Sequence, residues 1–417
     1  MSFTPATPPT RVPDRICAGL DWASVDHAVC ILDVDGSMLE RFFVVHDAAG
    51  LKTLVRRLLR AGVNEVGIER GDGPVVDALL QAGLTVLVVA PGQVKNLRSR
   101  YGSAGNKDDR FDAYLLADVI RTDRHRLRSL VRDSAATTAM RTTVRARRDL
   151  VEHRVAAANQ LRAHLQNVVP AAVSLFAMID STISLNFLTR FTTQPQLDWL
   201  SVKRLGTWLD GVGYSGRTAP AILHAQLLAA PRGITGPDAE THAATTSAYI
   251  ALLRVLNTQI AALENNLAAQ LTTHPDAHIY ASLPRVKTLR IARLIGEIGD
   301  SRGKFPTPQS LAALAGVAPP TRQSGKVKTV TFRWACNKHL RDAICDFAGD
   351  SRHANPWAAD LYHRARARGH DHPHAVRILA RAWTHIIWRC WHDNPSYDPS
   401  QHRALQHTLA NTTAQAA

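Results

Sequence analysis

The sequence predicts an α/β domain at the N-terminal end, a helical middle and a mainly α C-terminal region. Three observations carry this. Between Ile16 and Arg128 short alternating or continuous apolar runs are interleaved with runs of helical period. Ser134 to Val169 contains neither Gly nor Pro and carries an apolar stripe at helical spacing. Thr329 to Asn394 repeats that spacing in a basic background. The expected divisions are a disordered 1–15, an α/β domain 16–130, a coiled-coil and connecting region 134–275, a C-terminal domain 280–394 and a flexible tail 395–417.

The elements follow in order. Ile16 to Asp21 is a short apolar run ending in an acid, and His27 to Asp33 alternates. Asp35-Gly36 is a hairpin signal, so Met38 to Val45 forms the third strand of a meander. Leu51, Leu54, Val55, Leu58 and Leu59 share one helical face. Glu65 to Glu69 reads as a buried strand, again ending in an acid, and Pro74 to Ala82 as a helix with Pro at its start. Thr85 to Ala90 is a strand, Gln93 to Arg100 a helix, Tyr101 to Lys107 a loop and Asp109 to Ile120 a helix. The order β-β-β-α-β-α-β-α is that of the RNase H-like fold.

That fold puts chemistry on the acids. Asp21 ends the first strand and Glu69 the fourth, its neighbour in such a sheet. Asp109 and Asp112 are three apart and share a helix face. Carboxylates meeting at one sheet end repel one another unless divalent cations neutralise them, and Mg2+ takes carboxylate oxygen while keeping waters for a substrate phosphate. Two such ions clamp a scissile phosphodiester. Taken singly, each acid reads as well as a loop cap or a first-turn helix acid; taken together, at matching topological positions, they read as a metal centre. Asp108 competes with Asp109 as the partner of Asp112.

Composition agrees with a polyanion partner. The chain has 417 residues and a formal net charge of +15, with 45% hydrophobic residues. An isoelectric point near 10.1 points to nucleic acid, although an Arg-rich, GC-rich coding bias produces the same number. Five Cys without a C-x-x-C exclude a disulfide scaffold and make a reducing cytoplasm the default compartment. No apolar run is long enough to span a membrane. Met1 to Arg15 carries four Pro and no secretory h-region.

Gly19-Leu20-Asp21-Trp22-Ala23, Gly67-Ile68-Glu69 and Lys107-x-Asp109-x-x-Asp112-Ala113 resemble the DEDD insertion-sequence transposases. These have a RuvC-like N-terminal domain and include Piv-type DNA invertases and bridge-RNA-guided recombinases. A second block is similar to the same family: Leu283-Pro284 through Gly299-Asp300, Phe305-Pro306, Leu311 to Pro319, and Arg322-Gln323-Ser324-Gly325-Lys326. The resemblance assigns the first helix acid to Asp109. It implies Mg2+, or Mn2+ in its place, on Asp21, Glu69, Asp109 and Asp112, and a nucleophilic serine at Ser324. Flanking Arg322, Lys326 and Lys328 suit charge on phosphorus. It also implies donor and target DNA, a structured guide RNA, and a homodimer or homotetramer, with the serine and the carboxylates forming a composite site. The chain departs from the family where a Gly-Val-Gly turn is expected: it has Arg285-Val286-Lys287, whose charges suit a DNA phosphate.

Between the blocks, Arg141, Arg145, Arg147 and Arg148 sit in a basic helix that reads as a nucleic-acid track. Asp238 to Thr273 carries Tyr249, Leu253, Leu256, Ile260, Leu263, Leu267 and Leu271 in heptad steps. Ser181 to Gly236 reads as an irregular connection. Three rivals to a recombinase are a metal-dependent nuclease or junction resolvase, a binding scaffold, and an actin-like ATPase. The last needs a Gly-rich turn where this chain has Trp22-Ala23-Ser24.

Overall fold

The computed structural model describes residues 16–101, 108–324 and 327–416. The chain divides into two compact units, one ending at Arg132 and one running from Asp133 to Ala417. The expected disordered segment 1–15 lies outside the described residues.

The first unit is built on β1 (Cys17–Asp21), β2 (Asp26–Leu32), β3 (Met38–Val45), α1 (Ala48–Arg60), β4 (Glu65–Ile68), α2 (Pro74–Gln81), β5 (Thr85–Val88), α3 (Pro91–Tyr101) and α4 (Asp109–Asp123). The sheet order is β3-β2-β1-β4-β5. The first three strands pair antiparallel, while β1–β4 and β4–β5 pair parallel. This mixed sheet is the RNase H-like arrangement the element order predicted. Strand alternation sorts the side chains. Ala18, Leu20, Val66 and Ile68 join Leu54 and Leu58 of α1 and Val75, Val76 and Leu79 of α2 on one face. Cys17, Ala28, Cys30 and Leu32 meet Ala113, Ala117 and Ile120 of α4 on the other.

Gly19 of β1 lies in register with Gly67 of β4. A Cβ on Gly19 would come within 2.0 Å of the Ala113 carbonyl oxygen, and one on Gly67 within 2.8 Å of that of Leu116. The bare glycine pair is the trough in which α4 lies, and it lets the helix backbone approach the sheet closely.

The second unit contains α5 (Ala135–Val168), α6 (Thr182–Arg190), α7 (Gln194–Asp198), α8 (Val202–Gly211), α9 (Pro220–Ala229), α10 (Asp238–Thr273), α11 (Ala277–Ala281), α12 (Thr288–Ile298), α13 (Pro308–Leu314), β6 (Thr321–Ser324), β7 (Val327–Val330), α14 (Lys338–Ser351), α15 (Pro356–Ala367), α16 (His372–Asp393) and α17 (Arg403–Ala416). The helices α5 and α10 run antiparallel. Thr137 hydrogen-bonds His274 at 2.8 Å at one end, Arg147 pairs with Glu264 further along, and His164 meets Thr246 at 3.0 Å toward the other end. The buried seam of α10 is Thr246, Ile250, Leu253, Leu256, Ile260 and Leu267. Tyr249, Leu263 and Leu271, members of the expected heptad, are only half-buried. A straight helix of 3.6 residues per turn drifts out of a 3.5-residue pattern.

Two expectations are corrected. Residues 181–236 are not an irregular connection but carry α6 to α9. Their Ser, Thr and Pro residues are helix punctuation: Ser181 and Ser201 cap α6 and α8, Thr193 and Gln196 form a capping box, and Pro195 and Pro220 open helices. The expected tail 395–417 is not free over its described residues, 395–416. Tyr397 and Leu405 are buried in the C-terminal core, the Tyr397 amide donates to Ser282 Oγ at 2.7 Å, and α17 follows. That core centres on Trp383 and Trp391, whose indole N–H groups reach Ser351 Oγ and the Gly299 carbonyl.

Candidate active site

The acids of the first unit are set by register and parity. β1 and β4 are parallel, with Leu20 opposite Ile68, so Asp21, the last residue of β1, and Glu69, the residue after β4, follow at the same end of the sheet. Both share the parity of Gly19 and Gly67, which puts them on the face that carries α4. Asp112 is in the first turn of that helix and is 2% exposed. Both its carboxylate oxygens are taken by Arg98 of α3, at 2.7 Å from Nε and 2.5 Å from a terminal nitrogen. The Arg98 guanidinium is driven further toward its charged form, first by the hydrogen bond to Asp112 and then, after the opposing effect of burial, by the charges of Asp112, Glu69 and Asp21. Three of the four expected acids thus act on one cation.

Asp108 and Asp109 separate cleanly. The Asp108 side chain accepts from the Arg110 amide and caps α4, whereas Asp109 is exposed in the first turn. Capping accounts for Asp108, while Asp109 lies on the same helical side as Asp112.

Buried acid–arginine pairs are also structural here. Glu65 pairs with Arg124, and Asp118 with Arg121, away from this sheet edge. Asp112 differs in that its cation also feels Asp21 and Glu69. Arg98 itself was not legible: it stands in a polar helix among other basic and hydroxyl residues, with no spacing to single it out. Trp22 and Arg70, each directly following an acid, stack with the guanidinium 4.6 Å from the ring centre. Behind them His27, fully buried, reaches His46 at 2.8 Å.

Among the described residues, no three His, Cys, Asp or Glu side chains are gathered as a metal-holding group. The donor chemistry nevertheless suits a hard divalent ion: all four are carboxylates, and Arg98 already answers the charge of Asp21, Glu69 and Asp112 with a cation.

In the second unit, β6 and β7 pair antiparallel with Ser324 opposite Val327. Ser324 thus ends a strand in a hairpin. The side chains of Ser324, Arg322 and Lys328, and all of Gly325 and Lys326, lie outside the described residues. Thiols offer no competing nucleophile in two cases, since burial pushes Cys17 up to about 12 and Cys345 up to about 11.

The expected nucleic-acid arginines are engaged internally. Arg141 holds Asp133 and the Gly296 carbonyl, Arg145 holds Glu297, Arg147 holds Glu264, and Arg148 holds Glu152 and Asp342. Arg145, Arg147 and Arg148 line a cavity with Arg293 and His339 in which Glu152, Glu297 and Asp342 offset much of the positive charge. A sequence shows the arginine density but not the acids that fold against it. Lys287 is exposed, just before α12. Arg285 adopts φ +56°, the left-handed region a glycine turn occupies without strain, and its Nε donates to Asp350 at 3.1 Å. Burial raises the Asp350 carboxyl, but the hydrogen bond from Arg285 and the charge of Arg290 outweigh it and hold the group low.

The first unit is an RNase H-like domain with acids at adjacent strand ends and in the first turn of the helix on that face. Comparison with known proteins adds the family. Residues 18–170 match a DEDD transposase family model of the IS110 kind, and residues 277–363 match the model described as the transposase IS116/IS110/IS902 family. The Streptomyces coelicolor protein named for the transposase of the IS117 mini-circle is 31% identical over 400 residues, covering 92% of this chain and 95% of that one. The 42 kDa protein of insertion element IS900 from Mycobacterium paratuberculosis is 26% identical over 393 residues, covering 92% and 98%. A Thermus thermophilus RuvC chain, solved with a Holliday junction substrate, matches over 28% of this chain and 99% of its own, with TM-score 0.23 and 17% identity. The chain belongs to the IS110 family of transposases, enzymes that act on DNA. Among the described residues, no helix is long and apolar enough to cross a membrane.

Proposed function

We propose that this transposase cuts and rejoins DNA through a serine-linked intermediate, with Asp21, Glu69, Asp109 and Asp112 holding Mg2+ and a structured RNA selecting the site. What supports this reading is that β1 and β4 run parallel and end together, β1 at Asp21 and β4 just before Glu69. When bound, Mg2+ (or Mn2+) supplies Lewis-acid stabilisation of charge on a phosphodiester. Asp21 and Glu69 present oxygen donors from the sheet edge, and Asp109 and Asp112 present them from the helix. Arg98 donates one hydrogen bond to each oxygen of Asp112 and so competes with a cation for that carboxylate.

Ser324 supplies the nucleophile. Its oxygen bonds to phosphorus and its hydroxyl proton departs. The bond from phosphorus to the leaving sugar oxygen breaks, and that oxygen takes up a proton. A hydroxyl of a second strand then attacks the serine phosphodiester and returns Ser324 to its hydroxyl form. Bond energy is conserved in the covalent link, so no nucleotide triphosphate is consumed. The guide RNA rests on the family resemblance and the net charge of +15, as does assembly as a homodimer or homotetramer.

The test is expression of the full chain with its flanking element DNA, followed by denaturing gels and analysis of the co-purified nucleic acid. A protein–DNA adduct that disappears in Ser324→Ala and in Asp21→Ala, together with a discrete bound RNA, is the expected result. Metal-dependent nicking that survives Ser324→Ala without an adduct would replace this reading with that of a RuvC-like nuclease or junction resolvase.

A further inference from the structure

Trp334 is 81% exposed, more than any other large apolar residue among the described ones. A single exposed apolar side chain is ordinary by itself; what sets Trp334 apart is how its segment is held and what stands beside it. The segment bearing it is not loose. The Thr331 amide donates to the Pro320 carbonyl at 3.1 Å, Arg333 Nε to the Ala318 carbonyl at 2.7 Å, and the Asn337 amide to the Leu314 carbonyl at 2.8 Å. Anchors on both sides hold the Trp334 ring outward.

Phe332 braces it edge-on, with ring centres 4.8 Å apart. Two guanidinium groups then flank Phe332, Arg341 at 5.3 Å and Arg377 at 5.0 Å from its centre. Most arginines described around α5 and α12 are tied to acids, but among the described residues neither Arg341 nor Arg377 forms an ion pair. An aromatic face with adjacent unneutralised cations matches a nucleotide: the base stacks and the phosphate meets the guanidinium. The patch directly follows β7, the strand paired with the one that ends at Ser324.

We propose that Trp334 is a stacking platform for an unpaired base of the DNA strand, with Arg341 and Arg377 receiving its phosphates. Duplex DNA keeps its bases stacked on one another, so the platform discriminates for single-stranded or opened DNA. The inference rests on the reading of this chain as a DNA-cutting enzyme.

The experiment measures binding of the full chain to a fluorescein-labelled DNA single strand, to the same sequence as a duplex, and to an RNA of that sequence. Trp334→Ala is expected to weaken single-strand DNA binding about ten- to a hundred-fold, with duplex binding unchanged and Trp334→Phe retaining most of the affinity. Arg341→Ala with Arg377→Ala is expected to reduce the salt dependence of single-strand binding by about 0.7 in the log–log slope per lost phosphate. Unchanged affinity in Trp334→Ala, or equal loss on single strand and duplex, overturns the platform. A loss confined to RNA overturns its assignment to DNA. The adduct assay separates the two readings: stacking without cutting leaves the platform and removes the proposed chemistry, and adduct formation with Trp334-independent binding does the reverse.

Discussion

At the scale of single residues, Arg98 and Arg285 make the sharpest statements. Arg98 compensates a carboxyl that is 2% exposed. Removing it leaves Asp112 buried and uncompensated, so Arg98→Ala is expected to destabilise the chain by about 2–4 kcal/mol in chelator-treated buffer, below the figure for a fully buried pair because the guanidinium is partly solvated. Added Mg2+ should then raise the melting temperature of the variant more than that of the wild type. An equal shift in both would detach Arg98 from metal binding. Arg285 combines a left-handed backbone, which costs a non-glycine residue about 1 kcal/mol, with an exposed ion pair worth about 0.2–1 kcal/mol. Arg285→Gly relieves the first and loses the second. Thermal unfolding should show little change at low salt and a gain in stability at high salt, where screening has already removed the pair.

At the scale of elements, the glycine pair beneath α4 decides where the helix acids lie. Gly19→Ala puts a methyl group against helix backbone, which has no rotamer to yield. A loss of about 3 kcal/mol or more in urea unfolding is expected, together with loss of strand cutting as Asp109 and Asp112 shift from Asp21 and Glu69. Gly92 is the control within the same unit. A Cβ there meets nothing within 4 Å, and it sits in α3. Gly92→Ala should therefore leave cutting intact and stabilise by about 0.4–1 kcal/mol. Similar losses from both substitutions would show that the trough does not position α4.

At the scale of the whole molecule, each unit holds at least one histidine whose charged form the fold disfavours. Burial, then the neighbouring His46, lowers His27. Burial likewise lowers His274, whose Nδ1 accepts from the Asp276 amide and whose Nε2 therefore donates to Thr137. His402 is lowered by burial as well. A base with a depressed folded pKa binds more protons unfolded, so stability rises with pH through the window below the ordinary value of about 6.5. The melting temperature should fall as pH drops from neutral through that window. His274→Gln should flatten the fall; an unaltered slope would assign the acid sensitivity elsewhere.

The sequence alone determined the strand and helix order of the first unit, because period-two and period-3.6 apolar patterns are local and turn residues punctuate them. It also singled out Asp21, Glu69, Asp109 and Asp112 as the acids of the proposed site, since a motif at fixed topological positions can be read without coordinates. It misread 181–236 because Pro and Ser open helices as readily as they break them. Tertiary structure alone decided the rest. Which of Asp108 and Asp109 caps the helix, that Arg98 occupies Asp112, that Arg141, Arg145, Arg147 and Arg148 face acids, and that Trp334 faces solvent all depend on groups brought together from distant parts of the chain. A charge in sequence carries a sign, but its partner is chosen by packing, and packing is a property of the folded chain.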